Sequence, residues 1–162
     1  MKKLLIIAIL LVGVTQMYAQ QTTFILMRHA EKVADGTKDP GLTEEGTARS
    51  MRLKEMLSEQ PVAAIFSTPY QRTKLTVTPL AEAKGVSLQV YQPFQEGFLE
   101  QLMAAYPGQT VVVSGHSNTI PMLVNKLIGE EKYEQLDESD YNDLYIVTVD
   151  QLGEGTDVHI NY

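Results

Sequence analysis

Four short apolar runs, set apart by helical patterns, constrain the fold of this chain more than any other feature. They are TFILMR (23–28), VAAIF (62–66), VSLQVY (86–91) and TVVVSG (110–115), each rich in β-branched or aromatic residues and the length of a buried strand. After the first, LTEEGTARSMRLKEMLSE opens with a threonine and two glutamates suited to a helix N-terminus. The stretch Pro69 to Ala83 starts with a proline tolerated in a first turn, and Pro79 inside it predicts a kink or an early end. FLEQLMAAY places Phe98, Leu99, Leu102, Met103 and Tyr106 on one helical face; NTIPMLVNKLIG does the same with Ile120, Leu123, Val124, Leu127 and Ile128. Both faces read as core. DLYIVTVD and TDVHINY, joined around Gly153 and Gly155, predict a terminal hairpin at a sheet edge. Strands alternating with helices argue for an α/β sandwich with a mainly parallel sheet, and 162 residues suffice for one such domain.

The first nineteen residues stand apart from that pattern. Lys2 and Lys3 precede the apolar run LLIIAILLVGV, which has the length of a signal-peptide core and is short of the roughly 20 residues a membrane span needs. The expected cut follows Ala19, giving a signal peptide over 1–19, a domain over 22–162, and a periplasmic or secreted product with no stable membrane insertion. The absence of cysteine rules out a disulfide framework, a thiolate nucleophile and a lipid-attachment cysteine. Loss of Lys2 and Lys3 takes the formal net charge from −7 to about −9, which disfavours nucleic acid as a partner. An anionic substrate must therefore be drawn by a local cluster of positive charge.

In a parallel sheet the chemistry gathers at the C-terminal strand edge. Arg28-His29 follows the first run, Ser67-Thr68-Pro69-Tyr70-Gln71-Arg72 the second, and Gly115-His116-Ser117-Asn118 the fourth. Two of only three histidines thus meet two arginines at one rim. Four such groups repel one another unless a multiply charged anion lies between them. Arginine suits phosphoryl oxygens through its planar fork. A neutral imidazole is a nucleophile that can take a phosphoryl group and release it to water, while a second, protonated imidazole stabilises transition-state charge. The scheme needs no cofactor and no metal. A metal held by His29, His116 and a carboxylate is the competing reading, opposed by the arginine beside each ligand.

LMRHAEK resembles the RHG or RHA signature of the histidine phosphatase superfamily, and GLTEEG (41–46), FSTPYQRTKLT (66–76) and VVVSGHSNTIPMLV (111–124) follow in that family's order. The resemblance covers about residues 22–150. It implies a three-layer α/β/α sandwich of the phosphoglycerate mutase type, with His29 as the phosphorylated nucleophile, Arg28 and Arg72 clamping the phosphoryl oxygens, and His116 completing the pocket. Ser117 and Asn118 then lie at a helix entrance that favours an anion. Lys32 and Glu31 lie just beyond the nucleophile and stand between orienting or substrate contacts and a solvated loop pair. Where one branch of the family has an acidic proton donor after the second histidine, this chain has Ser117. Glu96 is the candidate general acid, ahead of Glu100, which would fall inside a helix, and Glu31 is the fallback. The expected substrate is a small phosphate ester or a phosphorylated envelope component, with a non-catalytic phosphoryl-binding module as the alternative.

Overall fold

A computed structural model describes residues 21–162; the expected signal peptide lies outside the described residues. Its elements are β1 (Thr22–Arg28), α1 (Glu44–Met56), β2 (Ala64–Ser67), α2 (Gln71–Lys84), β3 (Leu88–Val90), α3 (Phe98–Ala105), β4 (Thr110–Gly115), α4 (Thr119–Ile128), β5 (Asp143–Val149) and β6 (Thr156–Asn161). The strands form one sheet in the order β3-β2-β4-β1-β5-β6. The first four are mutually parallel, and the hairpin β5–β6 is added antiparallel to β1, closing one edge.

The two-residue alternation of the inner strands divides the core into two layers. Phe24 and Leu26 of β1, Ala64 and Phe66 of β2, and Val111 and Val113 of β4 pack under α3 and α4, against Phe98, Leu99, Leu102, Ile120, Leu123, Val124 and Leu127. The intervening Ile25, Met27, Ile65 and Val112 face α1 and α2, against Leu53, Leu57, Val77, Leu80 and Ala81. Strands buried on both faces read as continuous apolar runs because each side chain meets a helix layer. All three layers of the sandwich follow from this.

Of the kink or early end predicted at Pro79, the early end does not occur. α2 continues to Lys84 and stops at Gly85, which adopts the left-handed conformation at φ 64°. Proline forfeits one backbone hydrogen bond, and the burial of Val77, Leu80 and Ala81 on either side outweighs it.

GLTEEG has a definite task. Thr43 caps α1 by accepting the Gly46 N–H at 3.0 Å, and its own N–H donates to the Glu31 carbonyl at 2.9 Å. Lys32 and Leu42 form an isolated antiparallel bridge. Gly46 lets α1 approach this loop: a Cβ there would lie 2.3 Å from the Glu31 carbonyl oxygen. The segment after His29 is thereby fixed to the start of α1.

Candidate active site

Strand register brings the rim together. Arg28 of β1 lies opposite Gly115 of β4, and Ser67 of β2 opposite Ser114, so the chain leaves three adjacent strands at one level. His29 continues the ladder, its N–H donating to the Gly115 carbonyl at 2.9 Å. The His29 and His116 rings stand edge to face with centroids 5.6 Å apart. Arg28, Arg72 and His116 all act electrostatically on His29, which places the four predicted residues in one constellation.

His29 is held in a definite protonation state. It is 3% exposed, and its Nδ1 lies 2.8 Å from the Ala30 carbonyl oxygen. A carbonyl only accepts, so Nδ1 carries the proton and Nε2 keeps its lone pair. Burial pushes the pKa down to about 3, helped by the charges of Arg28, Arg72 and His116 and opposed by the Ala30 hydrogen bond. The ring is neutral near pH 7, with Nε2 available. The loop is held from the other side as well: the Ala30 N–H donates to Thr76 Oγ1 at 2.8 Å, and that hydroxyl donates to the Arg72 carbonyl at 2.7 Å.

Arg28 is 1% exposed and does more than the sequence suggests. Its Nη1 donates to the carbonyls of Asp137 and Asp140 at 2.7 and 2.6 Å, and its Nη2 to the carbonyl and carboxylate of Glu138 at 3.2 and 3.0 Å. The guanidinium also sits 4.3 Å from the centre of the Tyr141 ring. It therefore pins the α4–β5 loop over the site. Among the described residues its Nε–H is buried without a partner, as is that of Arg72. Arg72, in the first turn of α2, lies over the Tyr70 ring at 4.5 Å, with Nη1 3.8 Å from Asp39. Asp39 also accepts the Gln71 N–H at 2.8 Å, capping α2 from a distant loop. Two arginines, each with a buried Nε–H unpartnered among the described residues, act electrostatically on one neutral imidazole, a cationic setting that suits an acceptor-rich anion.

His116 enters through Gly115, where a Cβ would lie within 3.0 Å of Ile120, Thr119 and Tyr91 atoms. Its N–H donates to Thr119 Oγ1 at 2.9 Å, fixing the turn into α4. Burial lowers its pKa to about 4, reinforced by Arg72, Arg28 and Lys32 and opposed by Glu138. The free ring is thus neutral near pH 7, and the protonated form expected in the transition state requires an anion to outweigh the surrounding cations. Ser117 is buried and donates to Glu138 Oε1 at 2.8 Å, while Asn118 is exposed at the α4 N-terminus. Lys32 is exposed, close enough to act on both His116 and Glu138.

Two carboxylates bear on the question of a proton donor. Glu31 accepts Arg49 Nε at 3.0 Å and Nη2 at 2.6 Å. Burial alone would raise its pKa, but the Arg49 hydrogen bonds outweigh it and hold the carboxyl below its usual range. An ion-paired, ionised Glu31 is a brace for the loop that follows His29 and a poor proton donor. Glu96 lies exposed on the β3–α3 loop, in a groove with Phe94, Phe98, Met122 and Lys126. Among the described residues it makes no hydrogen bond or ion pair with the four central side chains, and Glu100 lies inside α3. Glu138, Tyr141, Thr68 and Thr73 were not singled out from sequence. The threonines fall within the quoted FSTPYQRTKLT stretch, but Glu138 and Tyr141 carry no local signal. No three metal-ligating side chains converge among the described residues.

A phosphoglycerate mutase-like sandwich with two histidines and two arginines at its strand ends defines the class. Residues 24–97 match the model of the histidine phosphatase superfamily, branch 1. Phosphoserine phosphatase 1 of Hydrogenobacter thermophilus is 33% identical over 97 residues, covering 51% of this chain and 46% of that one, so the match spans about half of the relative's length. The mycobacterial glucosyl-3-phosphoglycerate phosphatase shares the fold with a TM-score of 0.72 at 14% identity, over 87% of this chain and 99% of the other. The protein histidine phosphatase SixA, complexed with tungstate, does so with a TM-score of 0.71 at 20% identity, over 86% and 96%. Over residues 24–97 the chain carries the sequence pattern of the histidine phosphatase superfamily, and its fold is the one these two phosphatases share.

Proposed function

We propose that this protein is an exported, metal-independent phosphatase that hydrolyses a phosphate monoester through a phosphohistidine on His29. The observation that carries the reading is the tautomer of His29: a neutral ring with Nδ1–H committed to Ala30 and Nε2 bare, in the field of Arg28 and Arg72. In the first step the Nε2 lone pair attacks phosphorus and the ester oxygen leaves with its electron pair, taking a proton from a carboxylic acid or water. Arg28 and Arg72 supply positive charge to the phosphoryl oxygens, and His116, protonated once the dianion is bound, adds a further donor. In the second step water attacks phosphorus and the P–N bond breaks, returning His29 to its neutral state. Arginines and an imidazolium provide the charge a divalent ion would otherwise supply, so activity should survive chelation. Glu96 remains the proposed proton donor. The tungstate carried by SixA, an oxyanion with phosphate-like geometry, supports the same reading of the pocket. Relatives that act on small phosphorylated compounds support a small ester as substrate.

Trapping decides it. Acid-labile, base-stable phosphate should be recovered on the wild-type protein after rapid quench, and His29→Ala should abolish both label and turnover. A His29→Ala protein with near wild-type turnover would refute the covalent route. Tight phosphate binding with no hydrolysis across a broad panel would instead favour the binding-module reading. Sequencing of the exported product should begin near Gln20.

A further inference from the structure

Thr68 and Thr73 are buried polar residues of the site to which the proposed hydrolysis gives no role. Both are 0% exposed. Thr68 Oγ1 lies 3.0 Å from His116 Nε2 and 2.8 Å from Thr73 Oγ1, and Thr73 Oγ1 lies 2.8 Å from the Tyr70 carbonyl oxygen and 3.1 Å from that of Thr68.

Proton counting gives this chain a direction. A hydroxyl has one proton, and a carbonyl oxygen only accepts. Thr73 must therefore donate to a carbonyl, since otherwise two oxygen lone pairs would face each other at 2.8 Å. Its oxygen is then an acceptor for Thr68. With its proton committed to Thr73, Thr68 Oγ1 is left as the acceptor at the contact with His116, which must be a donation from Nε2–H. The protons run one way, from the imidazole to the main chain of the β2–α2 turn.

We infer that Thr68, backed by Thr73, is a positioning residue that holds His116 as its Nε2–H tautomer, so that Nδ1 is the nitrogen left for the phosphoryl group and gains a proton when that group binds. The inference rests on His116 being part of the phosphoryl pocket and specifies how it works there. Nδ1 has no hydrogen-bond partner among the described residues and is not a fully buried atom. In the free protein Arg72, Arg28 and Lys32 oppose a charge on the ring, and Glu138 favours it. His29 and Tyr70 complete its surroundings with neutral faces. A bound dianion reverses that field. The Nε2–H bond to Thr68 persists, a proton from solution forms a new Nδ1–H bond, and Nδ1–H donates to a phosphoryl oxygen. No other bond changes.

The test uses sulfate, a dianion that does not titrate near neutral pH, and the imidazole nitrogen shifts of ¹⁵N-labelled protein. The free wild type should show His116 protonated at Nε2 and bare at Nδ1, with both nitrogens protonated in saturating sulfate. Calorimetry in buffers of different ionisation enthalpy should show uptake of about one proton per sulfate near pH 7. Thr68→Val should mix the tautomers and weaken sulfate binding about tenfold, and Thr68→Ser should restore both. A free wild-type ring protonated at Nδ1, or binding without proton uptake, overturns the inference even if Thr68→Val does not fold. A folded Thr68→Val protein with unchanged tautomer and affinity does so too. None of these readouts needs turnover, so a protein that hydrolyses nothing sinks the phosphatase reading alone.

Discussion

Keeping two imidazoles neutral in a cationic pocket must make this protein acid-sensitive before its carboxylates are protonated. Burial and neighbouring cations lower the His29 and His116 pKa values from 6.5 to about 3 and about 4. The unfolded chain therefore binds protons that the folded protein refuses. Stability is fully present above the unfolded value and is lost as pH falls through it, until the folded values are reached. A histidine that stays neutral when folded costs the native state about 1.3 kcal/mol between about pH 7 and 5.5, and two cost about 2.5 kcal/mol. The figure holds wherever the folded pKa values lie, provided they are below about 5.

Carboxylates act lower down the scale. Hydrogen bonds and cations hold Glu31, Glu138 and Asp157 below their usual range, so their stabilisation is lost only as pH drops below the ordinary carboxylate values. Urea unfolding at about pH 7 and 5.5 should show the full loss in the wild type, about half in His29→Gln or His116→Gln, and little in the double variant. Saturating sulfate should reverse the His116 share to a gain of about 0.8 kcal/mol, since the folded ring is then protonated at both pH values while the unfolded ring takes up its proton only as pH falls. A double variant as acid-sensitive as the wild type would refute the reasoning. His29 and His116 would then not be rings kept neutral by their surroundings.

Arg49→Met should cost about 3–5 kcal/mol in urea unfolding, because it leaves the Glu31 carboxylate, 13% exposed, without its partner beside the nucleophile loop. Glu138→Gln should tighten sulfate binding about fivefold by titration, since the carboxylate now occupies Ser117 Oγ and Arg28 Nη2 and adds a negative charge at the pocket; unchanged or weaker binding would show that it does not compete. Glu96→Gln should slow esters with poor leaving groups by about 10²-fold or more while sparing activated aryl phosphates, and equal rates on both would remove Glu96 from the mechanism.

The sheet was legible because its inner strands are buried on both faces, which writes each as an unbroken apolar run. The rim quartet was legible for a related reason: Arg28, His29 and His116 follow such runs directly, and Arg72 lies one short turn beyond another. Pro79 misled because propensity is local, whereas the continuation of α2 is decided by Val77, Leu80 and Ala81 packing on the sheet. Arg28 shows where such reading stops. Its type and position mark it as a phosphoryl ligand, but a ligand needs free donors, and how many it has depends on a loop more than 100 residues later in the chain. Four contacts to Asp137, Glu138 and Asp140 engage both terminal nitrogens, leaving Nε–H as its one unpartnered nitrogen. The same guanidinium thus fixes the loop that carries Glu138, and anything that moves that loop also changes how many of its donors are free.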